Sequence, residues 1–509
     1  MNTLVLVRRF LSDYARNPVN LLLLIIVPTV FVLVASGELA SFAKLLGGPD
    51  APAVELATAG WAAGFIAGVA MYFQTATTRG TDRRVVIAGM PASQLALARL
   101  VTGACLAVLA ATMALLALIV RTGVGDFWRA VAGILMFAGI YVAIGAVVGV
   151  FVRNQLNGSV IVLFVWIVDV FFGPAMGAAD NIATRFLPTH YVTLWMIDLP
   201  SGHSGPVNDF GWAVIWTASA VGAAWALVAA RTRIAHVHRR ASNAGSSSSQ
   251  IAAALRATWR DTRRNPALWA LLVVVPVVFI LGVYVVTPDK PISVVVLESG
   301  ISVTRTLSLI DLHGATMAPI AVASLAALIG LFGVLQSRDG DRRAALAGIR
   351  TGALLSARLG VLTVLALVAT GVALATSALV FGPDQWATYA GANLLVALTY
   401  GLIGALLGPI FGSVGGVFVA FLVAFLDVGI VQNPMLQPEP TVWSRLLPGY
   451  GASRVLIDGA LTRSFDEIVP LLIGLGWLVA LTVAVIATYH HSTRPAGLRS
   501  VTRIERSLR

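Results

Sequence analysis

Asp13–Asn20 reads DYARNPVN, and 248 positions later Asp261–Leu268 reads DTRRNPAL; each octet leads into a long apolar run. Pro28 and Phe31 recur at the same distance as Pro276 and Phe279. Farther along, RGTDRRVVIAGMPASQLALARL (Arg79–Leu100) returns as RDGDRRAALAGIRTGALLSARL (Arg338–Leu359), now 259 positions on. Tyr141, Gly145 and Gly149 return as Tyr400, Gly404 and Gly408 at that same offset. Last, RFLPTHYVTLWMID (Arg185–Asp198) returns as RLLPGYGASRVLID (Arg445–Asp458) at an offset of 260. The largest step in offset falls in one loop, after the first apolar run. The chain therefore reads as one unit written twice.

Composition gives the nature of the unit. Hydrophobic residues make up 58% of the 509, charged residues 11%, and mean hydropathy is +0.87; soluble domains carry about 25% charged residues. Many runs approach the roughly 20 apolar residues that cross a bilayer. Spans are expected over 19–36, 57–77, 97–120, 131–152, 158–176 and 211–230, then 267–286, 316–335, 355–381, 388–411, 413–431 and 468–489. The first run has a basic flank like a signal peptide, but no small-residue cleavage site follows, so it is read as a retained span. Cys105 is the single cysteine, so it has no partner for an internal disulfide.

The net charge of +12 is gathered at one side rather than spread for nucleic acid. Of the 35 Lys and Arg, 26 fall in the N-terminal arm, the central linker, the C-terminal tail and the turns after spans two, four and eight, counting with the turns Arg99 and Arg358 at the adjoining ends of spans three and nine. The other side holds 15 of the 23 acidic residues. That asymmetry places both termini and the linker in the cytoplasm. An even number of spans per copy makes the copies parallel repeats about an axis along the membrane normal. The expected fold is all-α: a polytopic membrane protein of about twelve transmembrane helices in two parallel six-helix repeats. Residues 1–235 and 256–509 form the repeats, and 236–255, with the Gly/Ser-rich RRASNAGSSSSQ, joins them as a flexible tether.

Two repeated segments carry more than charge. The arm NTLVLVRRFLSDYARNP alternates apolar and basic faces, then meets Pro18, which favours a helix boundary. This suits a helix lying in the membrane interface with Arg8, Arg9 and Arg16 near lipid phosphates, ended by Asn17 and Pro18. Its copy, IAAALRATWRDTRRNP, offers Arg256, Arg260, Arg263 and Arg264, then Asn265 and Pro266; plain positive-inside charge would also account for each arginine alone. The turn after span two, RGTDRRVVIAGMP, reads as a short amphipathic helix capped near Thr81 or Asp82 and stopped by Gly89. Asp341, Arg342, Arg343 and Gly348 repeat it. Such a helix fits a groove in a partner, or it faces lipid.

This order of elements resembles the type 2 ABC transporter permease family, with two permease units in one chain. The features are an interface helix ending in R-N-P, a proline-bearing first span, a Gly/Pro-punctuated helix between spans two and three, and an external L-P segment before span six. The resemblance implies that the turn is a coupling helix touching a separate ATPase: Asp82, Arg83, Arg84, Gly89 and Pro91, with Asp341, Arg342, Arg343 and Gly348. Many relatives carry a Glu ahead of the glycine; here Gln74 and Asp82 are the nearest polar residues. Arg350 replaces Pro91 in the copy, so the two surfaces differ. The phosphate-cradling G-x-x-x-x-G-K-[ST] loop needs a lysine, and neither Lys44 nor Lys290 follows the required glycine. ATP and Mg are accordingly expected on a homodimer of partner ATPase subunits, with no cofactor on this chain.

Charges inside spans are costly and point to function by default. Asp169 and Asp427 occupy matching places in the fifth span of each copy. They line a path for a cationic or hydrogen-bonding cargo, hold an outer gate, or are satisfied by a neighbouring helix or outer water. Phe164, Trp166, Phe171, Phe172, Tyr72, Phe73 and Leu422 (beside Phe421) form a greasy path wall or an anchoring belt. Gly145, Gly149, Gly404 and Gly408 form G-x-x-x-G pairs suited to helix packing. His190, His203, Asp198 and Asp209 are spaced too loosely for a metal, and Tyr450 replaces His190 in the copy; no catalytic constellation is evident. His236, His238, His490 and His491 abut span ends. The expected activity is ATP-driven export of a drug, antibiotic or lipid across a prokaryotic plasma membrane. The alternative is a proton-coupled secondary transporter with Asp169 and Asp427 as proton sites. An enzyme or scaffold has no motif in its favour.

Overall fold

The computed structural model describes residues 3–177, 182–233, 250–298, 300–346, 348–438 and 440–493. Most of the expected 236–255 tether, with His236 and His238, and the C-terminal tail lie outside them. The N-terminal half runs α1 (Thr3–Ala15), α2 (Pro18–Leu46), α3 (Ala51–Ile87), α4 (Ala92–Arg121), α5 (Phe127–Phe151), α6 (Gln155–Phe171), α7 (His190–Met196) and α8 (Asn208–Arg233). The C-terminal half begins with α9 (Gln250–Arg263), α10 (Pro266–Val286), β1 (Pro291–Glu298), β2 (Ile301–Ser308) and α11 (Leu309–Leu335). It ends with α12 (Arg338–Leu346), α13 (Thr351–Ser377), α14 (Trp386–Ala424), α15 (Gly449–Leu461) and α16 (Ile468–Thr493).

The protein is an all-α polytopic membrane protein: ten of its described helical runs are long and apolar enough to cross a bilayer. The expected twelve spans differ at two places. The fifth is only seventeen residues, Gln155–Phe171. The tenth and eleventh fall in one run, Trp386–Val431, interrupted at Gly412 with φ 69° and ψ −164°, a conformation open essentially to glycine alone. The N-terminal half breaks its chain at the matching place, Val152–Asn154, by leaving the helix altogether.

One element was not expected. β1 and β2 pair antiparallel from Pro291 with Ser308 to Glu298 with Ile301. The hairpin stands where the N-terminal half instead extends α2 to Leu46, which accounts for the offset step after the first span. Arg305 of β2 anchors it by donating to the Leu461 carbonyl at 2.6 Å and pairing with Glu298 at 2.5 Å.

Each R-N-P lead-in is a helix break followed by proline at the first turn of the next helix, where its missing N–H costs nothing. The α1 helix lays Leu6 and Val7 on Leu95 and Ala98 of α4, leaving Arg8 and Arg9 exposed. Arg16 is an exposed partner of Asp13 at 3.1 Å. Arg256, Arg260 and Arg263 of α9, and Arg264 just beyond it, are likewise exposed. These segments, the turn after α3 and the turn after α12 share one end of the bundle, the basic end.

The expected small-residue packing is present. A Cβ at Gly145 would run into the carbonyl of Gly68, and one at Gly404 into the carbonyl of Ala327. Backbones of α3 and α5, and of α11 and α14, therefore approach as closely as side-chain-free positions permit.

Candidate functional site: basic-end turns and the interface between halves

At the basic end the sequence expectation needs correction. No cap opens a separate helix at Thr81 or Asp82; α3 continues unbroken through both to Ile87. Asp82 is buried, and so is Asp341, so neither lies on a contact surface. Arg99 of α4 donates to Asp82 Oδ1 at 2.5 Å and to Oδ2 at 3.2 Å, and Thr78 donates to Oδ2 at 2.9 Å. Arg358 of α13 donates to Asp341 at 2.9 Å, and the Tyr489 hydroxyl of α16 adds a bond at 2.8 Å. A two-pronged guanidinium on a buried carboxylate fixes both distance and orientation. Each turn is thus braced onto the following helix.

Beyond the brace lie the residues that do face outward. Arg84, Ala88, Gly89 and Pro91 are exposed, Arg83 partly so, and Ile87 is 74% exposed. In the second turn Arg342, Arg343, Gly348 and Arg350 are exposed, and Leu346 is also 74% exposed. Ile87 and Leu346 correspond at the 259 offset. Gly89 and Gly348 both take positive φ, 97° and 91°, which ends each helix just past its apolar tip. The second turn has an extra support: Gln250 of α9 accepts from the Arg350 amide at 3.0 Å.

The middle of the interface is closed by rings. Trp166 packs against Phe31 and Phe65 of its own half and Phe421 of the other, with centroids 5.9, 5.1 and 5.4 Å away. Its indole N–H donates to the Trp61 carbonyl at 2.9 Å. Phe171 meets Phe279 at 5.8 Å and Phe425 at 6.1 Å. Phe164 borders an apolar gap of about 20 Å³, and Leu422 borders another of about 10 Å³ beside Trp166. Such gaps admit about one water at most. Phe172 lies against Gly282 of the other half. These side chains pack in the interior between the halves rather than in an outward-facing belt.

Tyr72 and Phe73 lie toward the basic end. The Tyr72 hydroxyl donates to the Asn154 carbonyl at 2.9 Å, and Phe73 stacks with Phe332 across the interface, 6.5 Å between centroids. Asn265, from the second R-N-P, exchanges amide hydrogen bonds with Asn157 of α6 at 2.7 and 3.2 Å and also caps α10. Asn17 makes no cap bond, and Gly416 stands where Asn157 would recur. The halves are linked unevenly.

Asp169 and Asp427 are each filled by protein donors. The Tyr141 hydroxyl donates to Asp169 Oδ2 at 2.8 Å, and Thr189 donates through its hydroxyl at 2.7 Å and its amide at 3.2 Å. For Asp427 the donors are the Tyr400 hydroxyl at 2.6 Å, the Gly449 amide at 2.8 Å and Gln432 Nε2 at 3.2 Å. Both carboxylates are 4% exposed. They hold the start of α7 and of α15 onto the fifth span, the neighbouring-helix reading of the sequence.

Outside the spans, His190 Nε2 lies 3.2 Å from His203 Nε2, and His203 Nδ1 lies 2.8 Å from the Ser201 carbonyl. Burial, then the neighbouring His203, pushes His190 down to about 4. Asp209 bonds Ser201 rather than the histidines, and Asp198 pairs with Arg129 at 2.6 Å. No group of three or more metal-ligating side chains is found among the described residues. His490 meets Thr351 at 3.0 Å.

Sequence reasoning missed Arg99, Arg358, Tyr489, Thr189 and Gly449 as functional partners. The signal was present for several: Arg99 and Arg358 close the matched segments, Tyr141 and Tyr400 recur, and the L-P motifs bring Thr189 and Gly449 to equivalent positions.

Residues 54–231 match the family model described as ABC-2 family transporter protein. No curated protein matches the chain. The match covers the stretch from α3 to α8 and agrees there with the resemblance to type 2 ABC permeases.

Proposed function

We propose, from the match of residues 54–231 to the ABC-2 family transporter protein model, that the chain is the permease of an ATP-driven exporter, with two such units fused in one polypeptide. One observation supports this most: two exposed apolar tips, Ile87 and Leu346, stand at corresponding places, each braced to the next span by a buried Asp paired with an Arg of that span. An apolar side chain amid arginines suits the groove of a soluble partner. A brace of paired charges passes a push on the tip to α4 and α13 instead of letting the turn fold away.

ATP, with Mg, binds on a dimer of separate ATPase subunits, whose closure presses both turns. The halves then rock about the packed aromatic side chains, and an amphipathic cargo passes outward by alternating access. The basic end faces the cytoplasm by the positive-inside bias, in the plasma membrane of a prokaryote. Asp169 and Asp427 serve as staples of the outer segment and not as proton sites, since protein donors already fill them.

Reconstitution into vesicles tests the reading. Cargo accumulation is expected only with ATP and the partner ATPase. Accumulation by the chain alone on a proton or sodium gradient would overturn it.

A further inference from the structure

The two halves meet along two seams that the internal repeat relates, and at the basic end different chemistry holds each one. On the second seam, between α6 and α10, Asn157 and Asn265 exchange amide hydrogen bonds at 2.7 and 3.2 Å. Beside them Gln336, just past α11, donates to Asn154 Oδ1 at 3.4 Å. On the first seam, between α14 and α2, the repeat puts Gly416 for Asn157, Asn17 for Asn265, Ser413 for Asn154 and Thr77 for Gln336. Gly416 has no side chain to offer, and Asn17 makes no cap bond. The Thr77 hydroxyl turns back to the Phe73 carbonyl of its own helix at 2.7 Å. Among the described residues, the side-chain hydrogen bonds between the halves are the three on the second seam. The first seam is apolar there, with Leu23 of α2 lying where a Cβ at Gly415 would stand.

The difference has a direction. Apolar side chains that separate in a bilayer are covered again by lipid chains as apolar as themselves, whereas a hydrogen bond between helices is given up. Three such bonds keep the second seam closed by roughly tenfold or more over the first. A cavity of about 460 Å³ adjoins the weaker seam, with Asn17 and Asn20 on one wall and Ser413 and Val414 on the other. Parting α2 from α14 opens this cavity sideways, beside the exposed Leu22 of α2 and Ile410 of α14. The matching cavity, about 380 Å³, is bordered by Asn154, Asn265 and Gln336, the residues that form the latch.

We infer that the halves part at the basic end on one side only: the first seam opens and admits an amphiphile sideways from the adjoining leaflet into the first cavity, while the second seam stays latched. The entry of cargo rests on the reading of the chain as an amphiphile permease; the one-sided opening does not.

The test uses the full chain with Cys105→Ala in lipid nanodiscs, without ATP or partner. Spin labels on corresponding exposed positions report each seam: Arg16→Cys with Ile410→Cys for the first, Arg264→Cys with Phe151→Cys for the second. The first pair is expected to show an additional, longer distance that the second pair lacks. In Asn157→Ala the longer distance should grow at least about fivefold in the second pair, the worth of the two lost bonds. The first pair should stay unchanged and show that the variant is folded. A maltoside with a diazirine-bearing alkyl chain should label peptides carrying Asn20 and Ser413 at least about fivefold above those carrying Asn154 and Leu268. Like distance distributions at the two seams of the native chain, a second pair unmoved by Asn157→Ala, or equal labelling of the two sides would overturn the inference. Because neither ATP nor ATPase is present, failure of partner docking elsewhere would leave this result standing, and the reverse also holds.

Discussion

Asp82 and Arg99, seventeen residues apart in sequence, meet at 2.5 Å with both side chains more than nine-tenths buried. Asp341 and Arg358 repeat the contact at 2.9 Å in the other half, with Arg358 22% exposed. A buried pair of this kind adds little net stability while intact, but removing one partner strands the other charge. Asp82→Ala leaves Arg99 charged and unpaired, at a cost on the order of 3–5 kcal/mol. Asp341→Ala should cost less, because water reaches Arg358. Thermal unfolding of the purified chain in detergent measures the difference; equal shifts would remove the buried brace from the explanation.

Asp169→Asn keeps shape but replaces an all-acceptor carboxylate with a group bearing its own donors, facing the Tyr141 hydroxyl and two Thr189 donors. One lost buried hydrogen bond costs about 1–3 kcal/mol. The loss should appear as faster amide exchange at Thr189 and through α7. Reduced cargo movement with unchanged exchange would instead return Asp169 to the translocation path.

Gly145→Ala inserts a methyl group where the Gly68 carbonyl already lies, and Gly404→Ala does so against the Ala327 carbonyl. Overpacking of this kind costs roughly 1–3 kcal/mol. Gly222→Ala, where a Cβ meets open space, is the control and should be neutral or slightly stabilising. Melting temperatures of the three variants rank the positions.

His190 is pushed from 6.5 down to about 4 by burial and by His203, with Arg185 adding to the shift and Asp209 opposing it. The unfolded chain gains a proton near 6.5 and the folded chain only near 4, so unfolding takes up a proton between those values. Stability of the outer segment should therefore decline as pH falls from about 6.5 to about 4 and level off below. Amide exchange in α7 at pH 7 and pH 4.5 checks the direction. His190→Phe should flatten the dependence.

Hydropathy and the internal repeat made the membrane class, the doubling and the basic end legible, because apolar length and charge asymmetry are one-dimensional quantities. The join of α14 across Gly412 was not legible, since a hydropathy minimum looks alike whether the chain leaves the helix, as at Val152–Asn154, or kinks within it. The hairpin was passed over because its alternation, PISVVVLE and ISVTRTLS, lies between stronger apolar runs. Asp82 was read as an outward cap because its neighbours Arg83 and Arg84 are polar. Its burial depends on Arg99, one helix later, a pairing that only the three-dimensional turn creates. Ile87 and Leu346 looked like ordinary members of an amphipathic turn until their exposure set them apart.

The most direct test is the Mg-dependent ATP hydrolysis that co-purifies with the full chain from its own membranes in mild detergent, compared with the Ile87→Asp, Leu346→Asp double variant. Both positions are 74% exposed, so folding should change by no more than about 0.5 kcal/mol, and the melting temperature serves as the check. Hydrolysis that co-purifies with the native chain and falls at least about tenfold in a variant of unchanged melting temperature is the predicted result, a loss of about 1.4 kcal/mol or more in docking. Undiminished hydrolysis with the double variant, or none with the native chain, would contradict a permease driven through its two tips.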